Sequence, residues 1–140
     1  IGDGGRKEAL RATLAGAGVD NVELLPPMKR AQLKDAYQAA DVLFLHLNDY
    51  DAFRKVLPSK LFEYGAMGKP IWAGVSGYAA EFIQTELVNS AIFSPCNAVE
   101  AERAFSLLRL QNEPRDCFVD KFARTNIANE MAEDVVKTLV

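Results

Sequence analysis

The sequence predicts an α/β fold, a doubly wound parallel sheet of Rossmann-like kind, and three observations carry that reading. Short apolar segments alternate with helix-period segments, the order that right-handed strand–helix–strand crossovers produce. Val42-Leu43-Phe44-Leu45 is apolar at every position, as a parallel strand covered on both faces requires. Glycine and proline stand where elements would end, at Gly16 and Gly18, at Pro26-Pro27, and at Gly68 with Pro70.

The elements follow in order. Ile1-Gly2-Asp3-Gly4-Gly5 reads as the last residue of a strand entering a glycine turn. A strand needs about five residues, so the expectation is a piece of a longer two-domain polypeptide whose sheet lacks part of its first strand. Residues 1–140 then form a single ligand-binding domain. Lys7 to Ala17 carries Leu10 and Leu14 one helical turn apart. Val22-Glu23-Leu24-Leu25 is a short strand closed by the two prolines. Leu33, Ala36, Tyr37 and Ala40 mark a helix from Lys29 to Ala40. After the Val42 strand, His46 to Lys55 has no periodicity and reads as a loop.

Pro58 opens a helix that ends near Met67, with Gly68 just beyond it. Ile71-Trp72-Ala73 and Ala91-Ile92-Phe93 are further strands, separated by a helix from Tyr78 to Glu86. Three helical segments finish the chain: Ala98 to Leu110, Arg115 to Phe122, and Asn126 to Leu139. In the last, Ile127, Met131, Val135 and Leu139 align at i+4 spacing and read as packing the terminal helices together with Phe118 and Phe122. Leu43, Phe44, Leu45 and Ile71 are the expected centre of the core.

Composition narrows the function classes. Hydrophobic residues make up 49% and charged residues 25% of the 140, an ordinary globular balance. Sixteen Lys+Arg against nineteen Asp+Glu give a net charge of −3 with no basic stripe, which argues against nucleic acid as a partner. Cys96 and Cys117 make no CxxC pair, and a chain with one histidine is a poor zinc binder. The cysteines read as two reduced thiols of a cytosolic protein. No apolar run approaches the roughly 18 residues of a membrane span.

In an open parallel sheet, ligands bind at the carboxyl ends of the strands. Gly2-Asp3-Gly4-Gly5 resembles the start of a dinucleotide fingerprint, but Lys7 stands where the third glycine belongs. Those glycines either admit a ligand to the backbone or make a tight turn. Leu57-Pro58-Ser59-Lys60-Leu61-Phe62-Glu63-Tyr64-Gly65-Ala66-Met67-Gly68-Lys69-Pro70 says more. With Pro58 near the first helical position, the N–H groups of Ser59, Lys60 and Leu61 have no intrahelical partner and form an anion site. Glu63 follows one turn later, about 5.4 Å along the axis, a spacing that suits a phosphate and the ribose diol beyond it. The plainer alternative is a surface pair between Glu63 and Lys60. His46 ends a strand at the cleft edge, where a lone histidine is more often structural than catalytic. Trp72 reads as core rather than as a stacking platform.

This segment resembles the C-terminal signature of family-4 retaining glycosyltransferases of the GT-B fold, closest to bacterial polysaccharide transferases with P-S-K, an aromatic, E-Y and G-K-P. The likeness runs from the glycine turn through Leu33-Lys34-Asp35-Ala36-Tyr37-Gln38-Ala39-Ala40-Asp41-Val42 to about Glu81 and is diffuse afterwards. It implies a donor-binding half that holds a nucleoside-diphosphate sugar, with uracil preferred. Glu63 would bind the ribose, and the backbone at Ser59, Lys60 and Leu61 the diphosphate. Pro27 and Met28 would border the base, and Gly2 and Gly4 would line the cleft.

The resemblance implies sugar transfer to a polysaccharide or lipid-linked acceptor without a metal or other cofactor. Its partners would be the donor and an N-terminal acceptor-binding domain of the same polypeptide. The setting would be cytoplasmic, at the inner face of the membrane through that other half; this half alone would bind and not turn over. One departure is plain: an earlier family glutamate, eight residues before the ribose-binding one, is Lys55 here. Arg54, Lys55 or Lys60 would then supply charge to the leaving diphosphate. Two rivals stand beside this reading. A sugar-nucleotide 2-epimerase shares the architecture but needs catalytic carboxylates and a histidine. A non-enzymatic receiver-like domain needs an acidic pair where the first turn has only Asp3.

Overall fold

The computed structural model describes residues 1–138, so Leu139, last in the stripe that begins at Ile127, lies outside the described residues. The chain forms two compact units, Ile1–Ala36 and Tyr37–Val140. Its elements are α1 (Lys7–Gly16), α2 (Arg30–Ala39), β1 (Leu43–His46), a 3-10 turn (Asp51–Lys55), α3 (Lys60–Met67), β2 (Ile71–Gly74), α4 (Tyr78–Glu86), β3 (Ser90–Phe93), α5 (Ala98–Phe105), α6 (Asp116–Phe122) and α7 (Arg124–Thr138).

In the first unit, α1 ends in a Schellman arrangement. Gly18, at φ 64, gives its N–H to the Ala15 carbonyl, and Val19 gives its own to Leu14. Val22-Glu23-Leu24-Leu25 forms no strand, contrary to the sequence reading, and Ile1 ends none. A strand exists through its partner, and one bond, from the Gly2 N–H to the Leu25 carbonyl at 3.1 Å, makes no ladder.

The second unit is built on an all-parallel sheet in the order β1-β2-β3. Leu43 lies opposite Ile71 and Ile71 opposite Ser90, while His46, Gly74 and Phe93 align at the other end. Side chains alternate across the pleat, so Leu43, Leu45, Ile71 and Ala73 share one face. Against that face pack Leu61 and Tyr64 of α3, Ala79 and Ile83 of α4, and Phe118 of α6. Leu61, Ile71 and Ile83 are fully enclosed, each contributing roughly 1.5–3 kcal/mol by leaving water. The opposite face carries Trp72, Ala91 and Phe93, covered by Ala101 and Ala104 of α5. Helices therefore lie on both faces, and the architecture is α/β and Rossmann-like.

One core expectation fails. Leu43, Leu45 and Ile71 are buried, but Phe44 is 50% exposed. Among the described residues β1 is an edge strand, and α5 packs on β2 and β3 without covering its outer face. Phe44 stacks instead on His46 and Phe93 and tilts against Trp72, at ring distances of 6.1, 6.3 and 4.9 Å.

The terminal helices differ from expectation as well. Phe118 and Phe122 do pack as read, against Phe62 and Phe82 in a block of tilted and edge-on rings between α3, α4 and α6. In α7, however, Ile127, Met131 and Val135 are exposed and nothing is buried. Its spacing aligns a stripe that no described element covers. α5 stops at Phe105 rather than Leu110. The Asn89 side chain takes over beyond it, donating to the Arg109 and Gln111 carbonyls and accepting the Arg109 N–H. No helix among the described residues is long and apolar enough to cross a membrane.

Candidate functional site

The segment from Pro58 to Glu63 folds nearly as the sequence specifies, with one change at its start. Lys60 is the first helical residue of α3 and Ser59 the cap, with Ser59 already in helical backbone at φ −57, ψ −27. Because helical geometry begins that early, the Pro58 carbonyl accepts the Leu61 N–H at 3.0 Å, and Ser59 accepts that of Phe62 at 3.2 Å. Leu61 is thus removed from the expected anion cradle, and its side chain is fully buried. The N–H groups of Ser59 and Lys60 remain without a partner among the described residues. At the other end Gly68 closes the helix at φ 65, where a Cβ would press on the Glu113 carbonyl.

Glu63 sits one turn into α3, exposed to solvent. No ion pair with Lys60 forms: among the described residues neither side chain belongs to a salt bridge. The Glu63 charge acts on the Tyr37 phenol, near the end of α2. Tyr37 stands edge-on to Tyr64, ring centres 5.1 Å apart at 86°. Tyr64 in turn donates its single proton to the Phe44 carbonyl at 3.2 Å. Burial, then the Glu63 charge, raises the Tyr37 phenol above its ordinary value. Burial, then Tyr37, pushes the Tyr64 phenol up to about 12. Both tyrosines are therefore neutral at physiological pH.

The candidate cations differ in their engagement. Arg54 faces Asp51 at 3.6 Å in an exposed pair, of a kind that contributes little. Lys55 and Lys60 are exposed and outside every described ion pair.

In the first unit, Gly2 and Gly4 line a cavity of about 330 Å³ together with Ile1, Lys7, Leu24 and Leu25. The Lys7 ammonium donates to the Gly2 carbonyl at 3.0 Å and to the Leu25 carbonyl at 3.4 Å. The residue that replaces the fingerprint's third glycine thus braces the turn. Pro27 is exposed and Met28 half-buried, in the stretch that leads to α2.

His46 has a structural task. Its Nε2 accepts the Cys96 N–H at 3.0 Å, so the neutral ring carries its proton on Nδ1. Gly74 makes room beside it, since a Cβ there would strike both His46 and Phe93. Trp72 is half-buried, donates Nε1–H to the Ala101 carbonyl at 3.0 Å and packs edge-on to Phe105, as a core residue does. Cys96 and Cys117 are free and exposed. Among the described residues no three His, Cys, Asp or Glu side chains gather where they could share a metal ion.

Two features escaped the sequence reading. Tyr37 lies within the apolar stripe of α2, and nothing in the stripe distinguishes a ring set edge-on to Tyr64, within reach of the Glu63 charge, from one packed in a core. Arg115 is buried, its guanidinium donating to the Val88, Gly65 and Lys69 carbonyls. Charge and spacing carried no signal for it. Comparison with family models, with characterised proteins and with solved structures finds no match to this chain.

Proposed function

We propose that the chain is the donor-binding half of a glycosyltransferase and holds a nucleoside-diphosphate sugar at the first turn of α3. The observation that carries this reading is the pairing of two things one turn apart. Ser59 and Lys60 offer N–H groups that the helix leaves unbonded, at the positive end of its dipole. Glu63 offers an exposed carboxylate with no ion-pair partner among the described residues. The amides suit a diphosphate oxygen, and the carboxylate suits the two hydroxyls of a ribose. The motif resemblance supports the same assignment.

In the transfer step, the bond between the sugar's anomeric carbon and the diphosphate oxygen breaks as an acceptor hydroxyl forms a new one. Negative charge grows on the diphosphate. Fixed N–H donors and the Lys60 and Lys55 ammonium groups stabilise that charge more than the ground state, which is what lowers the barrier. The acceptor and its site belong to the other half of such an enzyme, at the inner face of the membrane.

Parallel calorimetric titrations with UDP, GDP and ADP test the reading, with UDP expected to bind best. Replacing Glu63 by Ala removes a charged acceptor whose hydrogen bonds contribute roughly 1.5–3 kcal/mol each. UDP affinity then falls at least about tenfold, a change of about 1.4 kcal/mol. Binding of 2′,3′-dideoxy-UDP, which lacks the diol, hardly changes. Equal losses for both ligands would mean that Glu63 acts through folding.

A further inference from the structure

We infer that His46 and the Cys96 N–H form a pH-sensitive clasp: protonating the imidazole removes the lone pair that holds the turn after β3, and the turn opens at Cys96 in mild acid. The inference is independent of the donor-site reading and follows from the kind of bond present. Nε2 accepts the Cys96 N–H at 3.0 Å. An imidazolium carries a proton on both ring nitrogens and accepts nothing. Once charged, His46 presents N–H to N–H, and the bond has to break.

Both sides of the clasp are set by their surroundings. The imidazole packs beside Phe44 and Phe93, ring centres 6.1 and 6.2 Å away at 18° and 30°. Gly74 leaves the space it fills, since a Cβ there would come within 2.5 Å of the His46 Cδ2. Cys96, at φ 63, is in a left-handed backbone that a side chain resists, so its conformation needs an anchor. Its neighbours have anchors that mild acid leaves alone. Ser94 gives its N–H to the Glu100 carboxylate at 2.9 Å, and the Asn97 side chain accepts the Glu100 N–H at 3.1 Å. Hydrogen bonding to Ser94 holds the Glu100 carboxyl below its ordinary value. That latch therefore stays charged over the range in which histidines commonly titrate, about pH 5 to 8. Little other charge meets the ring. Phe44, Gly74 and Phe93 have none, the turn brings the Cys96 thiol, and α5 brings Glu100. Neither Asp49, three residues on, nor any other carboxylate forms an ion pair with His46 among the described residues.

The test is NMR of the isotope-labelled chain between about pH 8 and pH 5. At the alkaline end a coupling through the hydrogen bond should join the Cys96 amide nitrogen to His46 Nε2. It should vanish in acid, and the Cys96 amide signal should move with the same midpoint as the imidazole ring. The Glu100 amide and the Trp72 indole, bonded to Asn97 and Ala101, should keep their signals. His46→Gln offers an amide oxygen in place of Nε2 and gains no proton in this range, so its Cys96 amide should not titrate. His46→Leu has no acceptor and should hold that amide, at every pH, where the parent reaches it in acid. The parent series needs no substitution and decides even where a variant does not fold. No coupling at the alkaline end, or a Cys96 amide that stays put while the imidazole titrates, overturns the inference. So does a Cys96 titration that survives either replacement. Loss of all the amide signals together in acid overturns it too, because the fold and not the clasp would then be responding.

Discussion

His46 Nε2 and the Cys96 N–H, 3.0 Å apart, tie the carboxyl end of β1 to the turn that follows β3. Cys96 is held there at φ 63, a left-handed backbone that a side chain resists by roughly 1–2 kcal/mol. Cys96→Gly should relieve that strain and still donate the same N–H. Set against the backbone entropy that glycine loses, about 0.5–1 kcal/mol, the net gain is up to about 1 kcal/mol. A shift of the urea midpoint to higher concentration checks it, and a lower midpoint would show that the thiol has contacts of its own. His46→Leu keeps bulk but gives the N–H no acceptor, and should cost about 1 kcal/mol.

Asn89 shares the positive φ, at 50, but the opposite outcome is expected. Its amide donates to two carbonyls and accepts a third bond around Arg109 and Gln111. Asn89→Gly relaxes the backbone and loses all three. Net destabilisation of about 1–3 kcal/mol follows, since each bond contributes about 0.5–1.5 kcal/mol. The same denaturation curves read this, and a gain in stability would mean that those bonds are replaced by water at no cost.

What the sequence made legible follows from how local the signal is. The bounds of α4 agree with the structure to the residue, and the glycine C-cap of α3 lies where its punctuation put it. Those are decided within a few residues by caps and breakers. Phe44 and the α7 stripe were misread because an apolar residue does not announce what covers it, and coverage is tertiary. Leu61's amide was misassigned because the position of Pro58 fixes where a helix can begin, not whether a tighter turn precedes it. Within the candidate site, Ser59, Lys60 and Glu63 could be placed by spacing alone. Tyr37 could not, because its edge-on packing against Tyr64 depends on how two helices pack.

Gly65 is a site of tight packing that admits no side chain. A Cβ on it would overlap the Phe118 ring, and Phe118 is itself buried among Phe62, Phe82 and Phe122. Gly65→Ala should force α3 and α6 apart and destabilise by about 1–3 kcal/mol, despite alanine's better helix propensity. Pairing it with Phe118→Leu should recover part of the loss, and melting curves of the two variants compare them directly. No recovery would place the strain in the helix backbone rather than at the ring.

Arg115 ties α3 to the connections before β2 and β3, with no carboxylate ion pair among the described residues. Its guanidinium donates to the Gly65 and Lys69 carbonyls at 3.4 and 3.0 Å and, through Nε at 3.2 Å, to Val88. Burial lowers its pKa, opposed by the Glu113 charge, yet a guanidinium stays protonated throughout the working range. Arg115→Met fills similar volume and leaves the Lys69 and Val88 carbonyls without a side-chain donor, while Gly65 keeps the Gly68 N–H. The cost is about 1–3 kcal/mol for each carbonyl that water cannot reach. The expected loss exceeds about 2 kcal/mol by denaturant titration. Arg115→Lys should restore little, because an ammonium cannot span the same fork.

Tyr64 gives the fold an alkaline limit. Burial first, then Tyr37 and Glu63, push its phenol from an ordinary 10.0 up to about 12. Below pH 10 the phenol is protonated folded and unfolded, so its contribution to stability is complete there. As pH rises from about 10 to 12, the unfolded chain releases the proton while the folded one keeps it. The unfolded state then binds fewer protons, and the unfolding free energy falls with pH until the folded pKa is passed. Tyr37, raised for the same first reason, adds a slope of the same sign. Tyr64→Phe removes this titration along with the bond to the Phe44 carbonyl. The variant should be less stable at neutral pH, by about 0.5–1.5 kcal/mol, and should lose less stability between pH 9 and 12. Denaturation series across that range measure both slopes. A variant that falls as steeply as the parent would assign the alkaline limit to other groups.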